Sequence, residues 1–323
     1  LGSKLKVNHL RSHLLVWSTE DYVFLEGKIP RTPTETVFAL KGGTAINLFV
    51  RDFPRLSVDI DLAYLPLEPR DEALINVKAA LQRITDRINT QPDIRAAFQD
   101  NKADELRIVV SSPVATIKIE VSPVARGTLQ SAEIMPVQES VEDEFGYVEI
   151  QVVSLPDLYG GKLCAAMDRQ HPRDLFDVRM LLGSEGISRE ILVGFLTYTF
   201  SHPRPINEVM SPNWQPLNEK FQAEFDGMTF EKVECEDLAS VRPMMLIELQ
   251  KHFTERDHAF LMSFKRGQPD WALFDYPNAA DLPAIRWKLQ NINKLAKNQA
   301  KHQEQLDKLK QVLDDWLVNA NAE

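Results

Sequence analysis

The stretch Arg55–Leu62 (RLSVDIDL) constrains the fold more than any other part of the chain. Val58, Ile60 and Leu62 alternate with Ser57, Asp59 and Asp61. That is the period-two pattern of a half-buried strand over residues 56–62. If the apolar phase faces a core, Asp59 and Asp61 share the opposite face, roughly 6.5–7 Å apart along the strand. A strand of this kind needs neighbours, and the sequence offers them. Thr36–Leu40 is rich in β-formers, two further strands are predicted at 105–110 and 114–121, and a last one runs from Tyr147 to Val153. Within 114–121, Ile117, Ile119 and Val121 alternate with Thr116, Lys118 and Glu120.

Helices surround these strands. Residues 4–40 suggest one or two short helices leading into the first strand. Leu74, Val77, Leu81, Ile84 and Ile88 recur at spacings of three and four, an amphipathic helix. Residues 131–145 are acidic and read as a loop. After Ser154 the pattern becomes helical throughout, with residues 202–216 as a Pro/Asn-rich loop. The expected organisation is therefore an α+β domain over residues 1–153, with a mixed sheet and flanking helices, and a helical domain over residues 154–323 that completes a cleft. Near the end, Ile285, Ile292, Gln299, Leu306 and Leu313 share one heptad position. The polar Gln299 and His302 interrupt that seam, which predicts either a long helix with a weak waist or two helices joined near 298–302. Lys294, Lys297, Lys301, Lys308 and Lys310 lie outside the seam, as a solvated face or an RNA-contact stripe.

Bulk properties exclude some function classes. A chain of 323 residues is long enough for one large domain or two modest ones. Its net charge of −10 argues against a protein that grips polyanions over its whole surface. Two cysteines, Cys164 and Cys235, cannot build a disulfide framework and fit a reducing cytoplasm. Cys164 sits in an apolar run and reads as a core thiol. No run of about 18 apolar residues and no signal-peptide pattern is found, so the expectation is a cytoplasmic protein without a membrane partner.

The chemistry is carried by two separate motifs. In the first, Gly42, Gly43 and Thr44 precede Asp59 and Asp61. Glycines let the backbone come close to phosphate oxygens, their N–H groups can form an anion-binding concavity, and Thr44 adds a hydroxyl near a helix start at Ala45–Phe49. The carboxylates of Asp59 and Asp61, joined by Glu120 if its strand is adjacent, suit Mg²⁺ or Mn²⁺. Arg55 and Ser57 are candidates for contacts to phosphate, with a plain surface arginine as the competing reading of Arg55. In the second motif, Lys162 and Arg169 share a helical face, and Asp174 and Asp177 follow at helical spacing beyond Gln170-His171-Pro172. His171 reads as a turn residue, Lys162 as a phosphate lysine or a solvated one, and Arg173 with Asp177 as a possible surface pair. A phosphate loop, metal acids and a lysine together point to nucleotidyl transfer from an NTP.

Four segments in order, Lys41–Phe49, Arg55–Leu62, Ile117–Val121 and Lys162–Val178, make residues 35–185 resemble the AbiEii/AbiGii family of nucleotidyltransferase-like toxins. The resemblance implies a fold like the polymerase-β nucleotidyltransferases, an NTP substrate, a divalent metal and a cognate antitoxin. By position it makes Gly42, Gly43 and Thr44 the phosphate motif and Asp59 and Asp61 the metal motif. It makes Lys162 the nucleotide-phosphate lysine and Asp174 a second essential acid, a base or a substrate orienter. Related toxins modify tRNA, so the implied acceptor is RNA at the tRNA 3′ end. Two other readings stay open at this point: a catalytically silent nucleotide- or antitoxin-binding module, and a nucleotidyltransferase that modifies a protein or a small molecule.

Overall fold

The computed structural model describes residues 35–57, 59–100, 106–113 and 116–321. The helices expected over residues 4–40 fall, up to residue 34, outside the described residues, as do Val58, Glu105, Val114 and Ala115 within the expected strands. The chain divides into two compact units. One contains the described residues up to Ser154 together with Gly227–Glu231, and the other contains Leu155–Asp226 and the described residues from Lys232 onward.

The first unit is built on a seven-stranded mixed sheet in the order β3-β4-β5-β2-β1-β7-β6. Its strands are β1 (Phe38–Lys41), β2 (Asp59–Tyr64), β3 (Arg95–Gln99), β4 (Leu106–Ser111), β5 (Thr116–Val121), β6 (Glu133–Pro136) and β7 (Glu149–Val152). The β2–β5 and β1–β7 pairs are parallel, and the remaining pairs are antiparallel. Laterally paired residues share a sheet face, so the register shows which side chains meet. Leu106, Val121, Leu62, Leu40 and Val152 form one continuous row across five strands, and all five are buried. Phe98, Ile108, Ile119 and Ile60 form the next row on that face. Helix α1 (Gly42–Ala45) leaves β1 directly and continues as a π-helical turn, Ile46–Val50. Helix α2 (Arg70–Ile88) buries Val77, Leu81, Ile84 and Ile88 of the stripe expected from its periodicity, while Leu74 is half-buried.

Several sequence expectations are corrected here. The strand expected over 56–62 begins only at Asp59, because Arg55 and Leu56 are engaged with a distant segment instead. Strand β3 was not foreseen, since Arg95–Gln99 is half exposed and lacks an apolar period. The acidic stretch 131–145 is not a loop. It holds β6 and helix α3 (Glu139–Phe145), whose acidic residues Glu139 and Glu142 lie in its first turn, where the helix dipole favours them.

The second unit is helical among its described residues. Helix α4 (Leu155–Asp168) packs against α6 (Arg189–Ser201) through Gly160 and Gly194, where any Cβ would run into backbone of the facing segment. Helix α5 (Pro172–Leu182) follows His171, expected as a turn residue, which serves as its N-cap with a ring nitrogen that accepts from the Arg173 N–H. Short helices α7 (Ile206–Met210) and α8 (Asn218–Glu224) follow, the first inside a stretch expected to be loop. Helices α9 (Cys235–Lys251) and α10 (Glu255–Lys265) come next. The heptad region is two helices, α11 (Pro283–Ala296) and α12 (Gln299–Ala320), with the Asn298 side chain capping the second. Lys288, on the apolar seam, is buried and donates to the carbonyls of His202 (2.5 Å), Pro203 (3.3 Å) and Arg204 (2.6 Å). No described helix is long and apolar enough to cross a membrane.

Candidate active site

Strand β2 places Asp59 and Asp61 on the polar phase, while Ile60 and Leu62 between and beyond them are buried. The β2–β5 register sets Asp61 beside Glu120 and Asp59 beside Lys118, so the two strands are neighbours, as the metal reading requires. The register extends this into a polar row across five strands: Lys41, Asp61, Glu120, Arg107 and Gln99. Two adjacent carboxylates therefore sit between two cations. Like charges side by side in a sheet are destabilising, and a fold that keeps them has a use for them. Burial raises Glu120 above the usual carboxylate range, and the negative charges of Asp59 and Asp61 raise it further. Arg107 stands 3.9 Å from Glu120 and donates to Gln99 at 2.8 Å.

All of these donors are hard carboxylate oxygens, which fit Mg²⁺ or Mn²⁺. Among the described residues, however, no group of three or more His, Cys, Asp or Glu is gathered closely enough to hold a metal ion. Asp59, Asp61 and Glu120 are neighbours in the sheet without forming a finished cage.

The glycine pair is fixed sterically by residues on β2 and just before it. Gly42 has φ +75°, and a Cβ there would collide with the Asp61 carboxylate. At Gly43 a Cβ would lie 2.8 Å from an Arg55 guanidinium nitrogen and 3.2 Å from Ser57 Oγ. Thr44 is buried, and its hydroxyl is within hydrogen-bond distance of Ser57 Oγ (2.9 Å) and of the Asp59 carbonyl oxygen (2.6 Å). Thr44 therefore braces the loop against β2. The helix expected from Ala45 begins at Gly42 itself, with Lys41 in extended geometry as its N-cap. Asn47 donates to the Gly43 carbonyl at 2.7 Å, tying the first turn together. Arg55 is not a surface residue. It is 2% exposed, and it donates to the Leu56 carbonyl at 2.6 Å.

The second motif is a buried ion cluster within the helical unit. Lys162 Nζ lies 2.9 Å from Asp174 and 2.9 Å from Asp177. Lys162 is 6% exposed and each carboxylate 1%, so Lys162 is not solvated and Asp177 is buried. Arg169 reaches in from solvent and clamps Asp174 with two bonds, 2.6 and 2.8 Å. Burial alone would raise Asp174, but Lys162 and Arg169 outweigh it and hold the carboxyl well below the usual range. A carboxylate held so firmly in its charged form is a weak proton acceptor, so a base role for Asp174 does not suit this geometry. Burial lowers His171, whose ring lies 2.8 Å from Glu224. Cys164 is a core thiol, pushed up to about 12 by burial.

Sequence reasoning missed Arg107 and the bracing role of Thr44. Arg107 was accessible in principle: Leu106, Ile108 and Val110 alternate, which puts Arg107 on the polar phase. Thr44 had no local signal, because its partners are 13 and 15 residues away.

The family model described as the nucleotidyl transferase AbiEii toxin of type IV toxin–antitoxin systems matches residues 23–291. No curated protein matches the chain. Among solved structures, MenT4, a nucleotidyltransferase toxin from Mycobacterium tuberculosis H37Rv, superposes with a TM-score of 0.58 at 13% identity, covering 88% of this chain and 92% of that one. At that identity the likeness speaks for the α+β fold, and the family match speaks for the class of protein. The chain belongs to the AbiEii family of nucleotidyl transferase toxins of type IV toxin–antitoxin systems.

Proposed function

We propose that the toxin transfers a nucleoside monophosphate from an NTP to RNA, at the 3′ end of tRNA, in a reaction that uses a divalent metal ion and is opposed by the cognate antitoxin. The observation that carries this reading is the placement of Asp61 beside Glu120, two residues along β2 from Asp59 and directly against Gly42. In this reading Asp59 and Asp61, with Glu120 alongside, hold the cation. A bound Mg²⁺ or Mn²⁺ supplies charge that stabilises the transferring phosphoryl oxygens. The N–H groups of Gly42 and Gly43 face the phosphates, while Thr44, Ser57 and Arg55 keep the loop rigid. The acceptor 3′-hydroxyl oxygen bonds to the α-phosphorus, the bond from that phosphorus to the β-phosphate bridge breaks, and pyrophosphate leaves. The hydroxyl proton passes to water.

Lys162 is the phosphate lysine in this scheme and must release one of its two carboxylates to act. Asp174 orients Lys162 and Arg169. Net charge of −10 restricts any grip on RNA to a local patch. Lys308 and Lys310 are already paired with Glu304 and Asp314 one helical turn away, which leaves Lys294, Lys297 and Lys301 as the better candidates.

Incubating the protein with each labelled NTP and a whole-cell extract tests the proposal. Label that ribonuclease removes, and that depends on added Mg²⁺ or Mn²⁺, is the expected result. Label that survives ribonuclease but is lost to protease would replace the RNA acceptor by a protein. Absence of pyrophosphate release with every NTP would return the chain to a silent binding module.

A further inference from the structure

Residues Gly227–Glu231 belong to the sheet unit, although α8 and α9 on either side of them belong to the helical unit. Three contacts hold the segment there. The Leu56 N–H donates to the Met228 carbonyl at 2.9 Å, Arg55 and Thr229 form an antiparallel β-bridge, and the rings of Phe53 and Phe230 lie 5.4 Å apart. The Thr229 hydroxyl donates to the Glu231 carbonyl at 2.6 Å and shapes the turn.

The loop gripped in this way is the wall of the glycine pair. Arg55 packs its guanidinium against Gly43, and Ser57 lies 2.9 Å from Thr44. Phe53 in the same loop has φ +55°, an uncommon conformation for a bulky side chain, and its N–H is anchored on the Asn47 carbonyl at 2.9 Å. Strain of this kind persists where the surroundings over-determine it, and it gathers at ligand sites. The Phe53 ring is buried beneath this arrangement, whereas Phe230 remains 67% exposed. A nucleotide held by its phosphates needs a surface for its base, and stacking on an aromatic side chain needs a ring that is propped and has a free face. Phe230 is such a ring.

We propose that Phe230, propped by Phe53 and fixed by the Arg55–Thr229 bridge, is the stacking platform for the nucleobase of the incoming NTP. This rests on the reading that Gly42 and Gly43 hold the phosphates. Stacking is tolerant of base identity, so Phe230 sets affinity for the base as an aromatic heterocycle and leaves the choice among bases to polar contacts.

The test compares wild type, Phe230→Ala, Phe230→Leu and Phe230→Trp in direct binding of NTP and of inorganic tripolyphosphate, with thermal melting alongside. NTP binding is expected to weaken about tenfold in Phe230→Ala, less in Phe230→Leu, and to be kept in Phe230→Trp. Tripolyphosphate, which has no base, is expected to bind all four alike. Equal NTP binding by all four proteins overturns the platform, as does equal weakening of both ligands. If wild type binds neither ligand, the phosphate-loop reading falls and the platform falls with it. Unchanged NTP binding together with loss of antitoxin neutralisation in Phe230→Ala would make Phe230 a protein contact and overturn the proposal.

Discussion

The two acidic clusters of this toxin are built on opposite electrostatic plans. In the sheet, Asp61 and Glu120 sit side by side between Lys41 and Arg107, and burial together with the charges of Asp59 and Asp61 raises Glu120. In the helical unit, Asp174 and Asp177 are buried and share a lysine, and Arg169 adds a bidentate clamp. A half-exposed cluster of like charges costs stability and invites a cation. A buried, balanced cluster depends on its members, because removing one leaves buried charge less well compensated. Under the proposed function, carboxylates would thus serve chemistry in one place and fixed geometry in the other.

The comparison breaks most readily at the sheet acids. Asp59→Asn and Asp61→Asn are each expected to cut NMP transfer by about a thousandfold or more, since several kcal/mol of charge stabilisation are lost. Thermal stability should stay within ~1 kcal/mol, because these side chains are only partly buried and relief of repulsion offsets lost solvation. Pyrophosphate release and melting curves measure both quantities. Full toxicity of the double variant in cells would end the metal-dependent reading.

In the helical unit the same type of change is expected to act on stability. Asp174→Ala takes from the buried Lys162 one of its two carboxylates and from the solvent-side Arg169 its clamped partner, and is expected to cost about 3–5 kcal/mol, read by denaturant unfolding. The pH dependence has a definite sign. Asp174 is held below its ordinary value of 3.8, so its contribution is fully present above that value and is lost as pH falls beneath it. Wild type should therefore lose stability more steeply below about pH 4 than Asp174→Ala does.

Lys162→Ala sharpens the contrast, since it removes the charge that both Asp174 and Asp177 share. A fall in NTP use beyond what the accompanying loss of melting temperature explains is the expected mark of a phosphate lysine. A large fall in melting temperature with unchanged NTP dependence would make Lys162 structural, like its carboxylate partners.

Gly42→Ala is expected to have a smaller effect, about 1–3 kcal/mol of strain, because it demands a positive φ and meets the Asp61 carboxylate. Transfer should fall more than stability does, as the displaced group is a metal candidate. The smallest effect is expected for charge reversal at Lys294, Lys297 and Lys301: about a tenfold loss of RNA labelling at low salt that disappears as salt rises.

The local sequence was enough to read what depends on local rules. Alternation around Asp59 and Asp61, and around Ile117, Ile119 and Val121, placed carboxylates on one face and apolar residues on the other. The periodicity of Val77, Leu81, Ile84 and Ile88 gave a helix and its buried stripe. The polar Gln299 and His302 marked where the C-terminal helix breaks. These patterns follow from backbone geometry, which repeats every two or 3.6 residues whatever lies nearby. Tertiary structure alone decided how distant residues meet. It set Asp61 against Gly42 and Glu120, buried Arg55, which the sequence leaves between a phosphate contact and a surface cation, and drew Gly227–Glu231 into the sheet unit. It also put Lys162, which the sequence reads as a phosphate lysine or a solvated one, at the centre of a buried ion cluster. A charged side chain carries no local signature of burial, because its cost is removed by partners that arrive from elsewhere in the chain.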